Sequence, residues 1–257
     1  MSLVDWVLGL ERVHFAETRA EREAIWRFRY DVYVRELGKT IASADHDRGW
    51  IRDPDEDNPE VSLIYTGTVD DVTGTMRGDY WLPGSIPAAT LHKYGLTRAS
   101  TFLGLPVAEA SRLMVRRNLR GKLIMPALAR AGFEWAVQKG VAASLAYCAP
   151  GLVSGYRRLG YRPYGSDMID TKDGVRVPLV MAMDDVAHFR DVSSPLLSLA
   201  RDRFGPTGSK ATTELINREL GTATALEADE REVWNDVQAA LLARTARPHL
   251  FDELDDA

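Results

Sequence analysis

A carboxylate and a guanidinium interrupt one of the most apolar stretches of the chain. Glu109 and Arg112 lie within residues 107–115, whose other side chains are mostly apolar and typical of a buried strand. A buried charge is costly to desolvate unless it is paired or takes part in function. The sequence therefore predicts a functional site on this strand.

The strand runs into a basic turn that contains a glycine and precedes an apolar-periodic segment. A strand, a cationic glycine turn and a helix, in this order, present backbone N–H groups and positive charge to an anion such as a phosphate. The residues predicted to bind such a ligand are the last two of the strand and four residues of the turn: Met114, Val115, Arg117, Arg120, Gly121 and Lys122.

Glu109 and Arg112 are three residues apart, and this spacing sets a condition on the strand. In a regular strand such residues point to opposite faces, so the two side chains share a site only if the strand bulges between or beside them. A bulge would also free backbone N–H groups around Met114 and Val115 for a ligand.

The elements that position these residues follow from apolar periodicity and from glycine and turn signals. The predicted elements are a helix over 19–37 ended by Gly38, strands 61–67 and 72–81 around a turn at 70–71, a helix over 122–139 closed by Gly140, a strand at 141–148, a helix at 151–159, and strands 161–168 and 175–183 around a turn at 173–174.

This alternation predicts an α/β fold with a mixed sheet and helices packed on it. Residues 44–60 are acidic and are expected to form an exposed loop, and residues 83–105 are expected to be a long surface connection. From about residue 191 amphipathic helices replace strands, one of them predicted near 233–241. We therefore divide the chain into a domain over 1–190 and a helical extension over 191–257.

Composition narrows the function. The 257 residues have a formal charge of −5, which argues against an overall basic surface for nucleic acid. The five histidines lack ligand spacing, so no metal site is expected.

We see no signal peptide or membrane span, and the single cysteine, Cys148, fits a reducing compartment, so a cytoplasmic location is expected. Cys148 lies in an apolar strand and is expected to be a buried hydrophobe rather than a nucleophile.

Three pieces in order resemble the GNAT superfamily, in the branch of acyl-homoserine-lactone synthases, N-acyl amino acid synthases and ornithine N-acyltransferases. They are Arg29-Tyr-Asp-Val-Tyr-Val-Arg-Glu-Leu-Gly38, Val72-Thr-Gly-Thr-Met-Arg77 and Glu109-Ala-Ser-Arg112. In addition, Tyr156-Arg-Arg-Leu-Gly-Tyr161 resembles the GNAT turn whose tyrosine protonates the departing thiolate. The resemblance covers about residues 20–185 and implies a mostly antiparallel central sheet flanked by helices.

Two departures from the family pattern bear on the substrates. The turn reads Asn118-Leu-Arg-Gly121-Lys-Leu123, with leucine where enzymes of this superfamily that use coenzyme A usually have a small residue beside the pyrophosphate. This favours an acyl chain on a carrier protein, whose phosphopantetheine arm has one phosphodiester. Lys39 stands where lactone synthases tend to carry tryptophan, so lactone formation as such is not expected.

Transfer of an acyl group from a thioester to an amine requires a neutral amine, a site for the oxyanion and an acid for the thiolate. Glu109 is the candidate that binds the amine or accepts its proton; its alternative is an ion pair with Arg112 or Arg77. Tyr156 is the candidate acid, or else an ordinary core aromatic.

Three arginines are candidates for holding a substrate carboxylate by bidentate bonds, namely Arg29, Arg77 and Arg112. The alternative for Arg29 is a solvated helix face. The turn cations are expected to meet phosphate and an acidic carrier protein, or else to be solvated. Carboxylates of the acidic loop are expected to be solvated: Asp45, Asp47, Asp53 and Asp57.

The leading hypothesis is a cytoplasmic N-acyltransferase that moves an acyl chain from acyl carrier protein or acyl-CoA to the amine of an amino acid or similar small molecule. It is expected to need no metal and no nucleic acid, and a homodimer is possible. The alternatives are a small-molecule N-acetyltransferase that uses acetyl-CoA and a non-catalytic GNAT-like module that recruits a partner through its C-terminal helices.

Overall fold

Ten β-strands and seven α-helices make up the part of the chain that the structure describes. The computed structural model describes residues 12–120, 123–165, 169–171 and 174–221. The strands are β1 Val13–Phe15, β2 Ala44–Asp45, β3 Trp50–Ile51, β4 Val61–Gly67, β5 Val72–Trp81, β6 Val107–Val115, β7 Ala143–Cys148, β8 Arg162–Pro163, β9 Ile169–Thr171 and β10 Gly174–Ala182. The helices are α1 Arg19–Tyr30, α2 Ala88–Lys93, α3 Ile124–Gln138, α4 Val153–Leu159, α5 Val186–Asp191, α6 Leu197–Phe204 and α7 Ala211–Leu220.

One mixed sheet forms the centre of the fold. Its strand order is β1-β4-β5-β6-β7-β10-β8, and β9 pairs with β10 beside this path. The β6–β7 pair is parallel and the other pairs of this sheet are antiparallel. The predicted α/β class, with a mostly antiparallel sheet flanked by helices, is confirmed.

The parallel pair is incomplete, and this opens the sheet. β6 and β7 pair over residues 107–109 and 143–145, yet β6 continues to Val115 and β7 to Cys148. Beyond Glu109, β6 therefore has no strand partner on its β7 side among the described residues. Unpaired strand groups need another partner, so this gap is a natural place for a ligand's backbone-like amide or carbonyl groups.

The bulge that the spacing of Glu109 and Arg112 required is present. Opposite β5, the pairing passes from Met114 with Thr75 to Ser111 with Arg77, so two residues of β6 face one residue of β5. Arg112 has a φ of +52°, a left-handed conformation that suits a bulge and is rare for residues other than glycine.

The N-terminal helix is shorter than predicted and changes form at its end. α1 begins with a capping box in which Thr18 and Glu21 bond each other's backbone N–H, and this lowers the pKa of Glu21 to about 2. At Tyr30 the α-helix gives way to a π-helical turn, Asp31–Glu36. Gly38 follows with a φ of +60°, as the predicted stop requires.

Helix α3 lies close to the middle of the sheet because glycines face it. A Cβ at Gly74 would lie 2.6 Å from Ile124 Cγ2, and one at Gly78 would lie 2.9 Å from the ring of Trp135. Ile64, Met76, Ile124 and Leu128 form an apolar cluster between α3 and β4–β5. This contact places the helix beside the strand that carries Arg77.

Two segments predicted to be loops are more structured than expected. The connection over 83–105 contains α2 and buries Tyr94, Leu96 and Phe102, so it is part of the core rather than a surface crossing. The acidic segment contains the small β2–β3 hairpin, and Glu56 within it is fully buried. The sequence does not reveal this burial, because both segments make their contacts with residues that are distant in the sequence.

The described part of the C-terminal extension is helical and packs on the sheet. Ile216 and Leu220 of α7 join an apolar cluster with β7 and β10, and the Glu219 carboxylate accepts hydrogen bonds from the N–H groups of Thr101 and Phe102. The helix predicted near 233–241 and one residue of the predicted 173–174 turn lie outside the described residues. The division at residue 190 stays a prediction. No helix of the described residues is long and apolar enough to cross a membrane.

Replacement of Gly67 by alanine is expected to destabilise the β4–β5 hairpin. Gly67 has a φ of +89°, and a Cβ there would lie 2.2 Å from the carbonyl oxygen of Asp71. We expect urea unfolding to show a loss of more than about 2 kcal/mol for Gly67→Ala. Gly84→Ala is the control, because Gly84 also has a positive φ but open space around it, and should lose about 1 kcal/mol. Equal losses would contradict the steric argument.

Candidate active site

A cleft of about 1050 Å³ opens where β6 and β7 part. Most of the predicted site residues line it: Arg77, Glu109, Arg112, Met114, Val115, Arg120 and Tyr156. Arg29 lies behind the cleft wall and is fully buried, while Arg117 is exposed on the turn. Gly121 and Lys122 lie outside the described residues.

One carboxylate, Asp53, joins the three predicted arginines. Arg112 donates to its two oxygens at 3.0 and 2.6 Å, a bidentate pair. Arg77 lies 3.2 Å from Asp53 and Arg29 lies 3.8 Å from it. The expectation that Asp53 is solvated is therefore wrong: its side chain is 14% exposed and it bridges α1, β5 and β6.

Further carboxylates complete the network. Glu56 accepts hydrogen bonds from Arg29 and, at 2.6 Å, from the Trp26 indole N–H. Arg77 also binds Asp55 at 2.8 Å and Asp79. The solvated-helix alternative for Arg29 is thus wrong. Neither Glu56 nor Asp79 was a candidate site residue from the sequence. The signal that could have found them is that three arginines on apolar elements need carboxylate partners.

The network has four carboxylates and three arginines, a formal charge of −1. Burial alone would raise the pKa of Asp53, but the hydrogen bond and charge of Arg112, with Arg29 and Arg77, outweigh burial and lower it. Burial raises the pKa of Asp79. Because carboxylates already occupy the arginines, a substrate carboxylate could bind Arg77 or Arg112 only by displacing one of them.

Glu109 pairs with neither Arg112 nor Arg77, so that alternative is wrong. Its Oε1 accepts a hydrogen bond from Lys93 Nζ at 2.5 Å and from the Tyr94 hydroxyl at 2.8 Å. Burial and the adjacent carboxylate raise the pKa of Tyr94 well above its ordinary value, so its hydroxyl stays a donor. Lys93 and Tyr94 come from the connection that was predicted to be a surface crossing.

Tyr156 of α4 lies against Tyr161 with ring centroids 5.6 Å apart. Burial raises its pKa, so the hydroxyl is protonated at neutral pH. Burial also raises the pKa of Cys148 to about 12, which leaves the thiol protonated and a poor nucleophile. The Tyr156 hydroxyl and the Cys148 thiol are therefore both protonated, and the role of Tyr156 as an acid stays a prediction.

The part of the cleft that was predicted to bind the donor combines a backbone amide directed away from β5 with a partly neutralised basic turn. Arg116 N–H bonds Thr73 of β5, so the amide of the preceding Val115 faces the gap on the other side of β6. The Val115 carbonyl accepts from Arg120 Nε at 3.0 Å, and Arg120 also pairs with Glu36. The described residues hold no cluster of three or more His, Cys, Asp or Glu side chains that could bind a metal ion.

The fold is shared with solved structures of an N-acyl amino acid synthase and an acyl-homoserine lactone synthase. A solved structure of FeeM, an N-acyl amino acid synthase from uncultured soil microbes, matches with a TM-score of 0.56 at 13% identity, covering 74% of this chain and 97% of that one. A CoA-dependent acyl-homoserine lactone synthase, BjaI, solved with SAM and isopentyl-CoA, matches with a TM-score of 0.53 at 18% identity, covering 80% and 98%. These likenesses show the fold.

The family follows from a match to a family model along the sequence. The model of the family described as N-acyl amino acid synthase FeeM matches residues 24–185, more than half of the chain. The chain belongs to this family, and the enzyme is an N-acyltransferase. No curated protein matches the chain. The resemblance stated from Arg29, Arg77, Glu109 and Arg112 is confirmed at the level of the family.

Replacement of Asp53 by asparagine tests the network. Removing the charge leaves buried guanidinium groups without their shared partner, so we expect a loss of about 3–5 kcal/mol in urea unfolding at neutral pH. Asp53 has a lowered pKa in the folded state, so its contribution is present above its ordinary pKa of about 3.9 and lost as the pH falls below it. The difference between wild type and variant should shrink on acidification.

The control is Asp57→Asn. Asp57 pairs with Arg52 on the surface, where its side chain is 73% exposed, and such pairs contribute about 0–1 kcal/mol. Similar losses in the two variants, or a difference between wild type and Asp53→Asn that does not change with pH, would contradict the assigned role of Asp53.

Proposed function

We propose that the protein transfers an acyl chain from a thioester donor, on acyl carrier protein or coenzyme A, to the amine of an amino acid or similar small molecule. One observation carries this proposal: the Glu109 carboxylate and the Tyr156 hydroxyl line the same cleft, where the amide of Val115 faces the gap between β6 and β7. A base, an acid and an N–H donor are the three groups that aminolysis of a thioester requires.

In the proposed reaction Glu109 binds the ammonium of the acceptor and takes its proton. The free amine attacks the thioester carbon, and the Val115 N–H stabilises the negative charge that develops on the oxygen. The carbon–sulfur bond then breaks, and Tyr156 gives its proton to the leaving thiolate. The second proton that the attacking nitrogen must lose to become an amide passes to the Tyr156 phenolate and restores it, and Glu109 releases its proton to solvent. Direct transfer fits the protonated, buried Cys148.

The form of the donor depends on the basic turn. Arg116 is bound by Asp71 and Arg120 by Glu36, so both are partly neutralised, while Arg117 is exposed. Leu123 precedes α3 at the position where a small residue would let a pyrophosphate approach the helix N-terminus. These features favour the single phosphodiester of a carrier-bound phosphopantetheine, with Arg117 open to an acidic carrier protein.

An apolar cavity beside the cleft is the proposed site of the acyl tail. It shares Glu109, Leu113 and Tyr156 with the cleft and continues between the sheet and α3, past Met76 and Gly132. Its present volume is about 40 Å³, so a long chain requires side chains such as Met76 to move. This small volume favours the second candidate function, transfer of an acetyl group from acetyl-CoA.

A donor panel separates the two functions. Purified protein is incubated with acetyl, octanoyl and dodecanoyl thioesters, each on coenzyme A and on acyl carrier protein, together with a set of amino acids. Free thiol is followed with a thiol reagent, and products are identified by mass spectrometry. Octanoyl or dodecanoyl amides support the proposal, and acetyl amides alone support the second candidate. No thiol release with any donor would count against both.

Glu109→Gln and Tyr156→Phe should each lower the rate without changing the fold. We expect kcat/KM to fall by about a hundredfold or more, since each variant removes one proton-transfer group. Tyr161→Phe is the control, because Tyr161 has a neighbouring ring but bonds the Ser144 hydroxyl. Stopped-flow or steady-state thiol release measures the rates. Full activity in Glu109→Gln and Tyr156→Phe would show that neither residue transfers a proton in the reaction.

Met76→Ala should shift the preferred acyl chain toward greater length. Met76 is buried and lines the proposed tail cavity, so its removal enlarges that cavity. We expect the ratio of kcat/KM for dodecanoyl to that for octanoyl donor to rise by about tenfold, since each buried methylene contributes about 0.8 kcal/mol. Met125→Ala, which changes the cleft but not the cavity, is the control. An unchanged ratio in Met76→Ala would place the tail elsewhere.

A further inference from the structure

Lys93 holds its ammonium group inside the cleft in an unusual setting. Its Nζ lies 2.5 Å from Glu109 Oε1, 4.0 Å from the ring centroid of Tyr147 and 4.9 Å from that of Tyr94. A carboxylate with two aromatic rings is the surrounding that an ammonium ion prefers. The base that the proposed reaction uses is therefore already occupied by an ammonium of the protein itself.

The ion pairs of the other cleft cations differ from that of Lys93. Arg77 is bound by Asp53, Asp55 and Asp79, and Arg112 by Asp53 through two bonds. Among the described residues, Glu109 is the one carboxylate that forms an ion pair with Lys93. Lys93 and Glu109 thus form a pair of opposite charges that shares no ion pair with the arginine network, and both side chains line the cleft.

The charges of this pair are complementary to those of a zwitterion, because Glu109 can bind an ammonium and Lys93 can bind a carboxylate. An α-amino acid carries its ammonium and its carboxylate on the same carbon atom. If it enters between Glu109 and Lys93, the ion pair between these two residues is replaced by two ion pairs with the amino acid. The lysine can make room, since its side chain is 32% exposed at the end of the short helix α2 and lysine stems are flexible.

We propose that Lys93 is a specificity-determining residue that binds the carboxylate of an α-amino acid acceptor while Glu109 binds its ammonium. The proposal rests on the proposed function and names the acceptor class of the same site. It also predicts that simple amines are poor acceptors, because an amine without a carboxylate places a second ammonium beside Glu109 and leaves Lys93 without a partner.

Paired acceptors that differ only in the carboxylate test the proposal. The pairs are leucine with 3-methylbutylamine and phenylalanine with 2-phenylethylamine, with octanoyl-CoA and octanoyl carrier protein as donors. We expect wild type to favour the amino acid by at least about tenfold in kcat/KM, an effect of at least about 1.4 kcal/mol. Lys93→Met should lower this preference about tenfold, mainly through the KM of the amino acid, and Lys93→Arg should keep most of it.

The ratio within each variant is independent of the fraction of protein that is folded, so loss of stability cannot imitate the result. Lys39→Met is the matched control: Lys39 also lines the cleft, 5.5 Å from the ring centroid of Tyr33, and its variant should keep the preference of wild type. If Lys93→Met lowers kcat equally for amino acid and amine, Lys93 only positions Glu109 and the proposal is wrong.

A binding measurement separates this proposal from the proposed function. Thermal unfolding is followed with leucine or 3-methylbutylamine added, without any donor. Leucine should raise the unfolding temperature of wild type and not that of Lys93→Met. If wild type shows this binding but no transfer, the proposed function fails and the assignment of Lys93 stands. If transfer occurs while leucine and amine behave alike in wild type and variant, the assignment of Lys93 fails alone.

Discussion

The shared ion pairing of Asp53 is the interaction on which the rest of the site depends. Arg29 comes from α1, Arg77 from β5 and Arg112 from the bulge of β6, and one carboxylate contacts all three. Without it these guanidinium groups would repel one another in a poorly solvated space. The network therefore ties the acidic segment to the sheet and holds three separate elements in one arrangement beside the cleft.

This saturation of the arginines determines where a substrate can find charge. Because Arg77 and Arg112 are already bound by carboxylates of the network, the pair of Lys93 and Glu109 is a combination of opposite charges at the cleft wall that lies outside this network. The arginine network then acts as a rigid support, whereas Lys93 can move. A rigid arginine network beside an ion pair that can open suits the proposed binding and release of a charged acceptor.

The second part of the site is formed where the backbone groups of β6 have no strand partner in the part of the chain that the structure describes. β6 separates from β7 after Glu109 and bulges at Arg112, so the carboxylate, the guanidinium and the amide of Val115 are all directed toward one gap. Glycines at 74 and 78 let α3 approach the strands from the side of the apolar cavity. An open strand edge and an apolar cavity thus lie next to each other, and these are the places proposed for the thioester and its acyl tail.

The sequence alone determined the local features: the β4–β5 hairpin, helix α3, the glycine stops, the need for a bulge between Glu109 and Arg112, and the family. Periodicity and turn residues act over a few positions, so they are legible in one segment. Only the tertiary structure decided the partners, Asp53 and Glu56 for the arginines and Lys93 with Tyr94 for Glu109. Asp53 lies 59 residues from Arg112, and Lys93 lies 16 from Glu109. Charges pair by distance in space, and that distance exists only after the chain has folded.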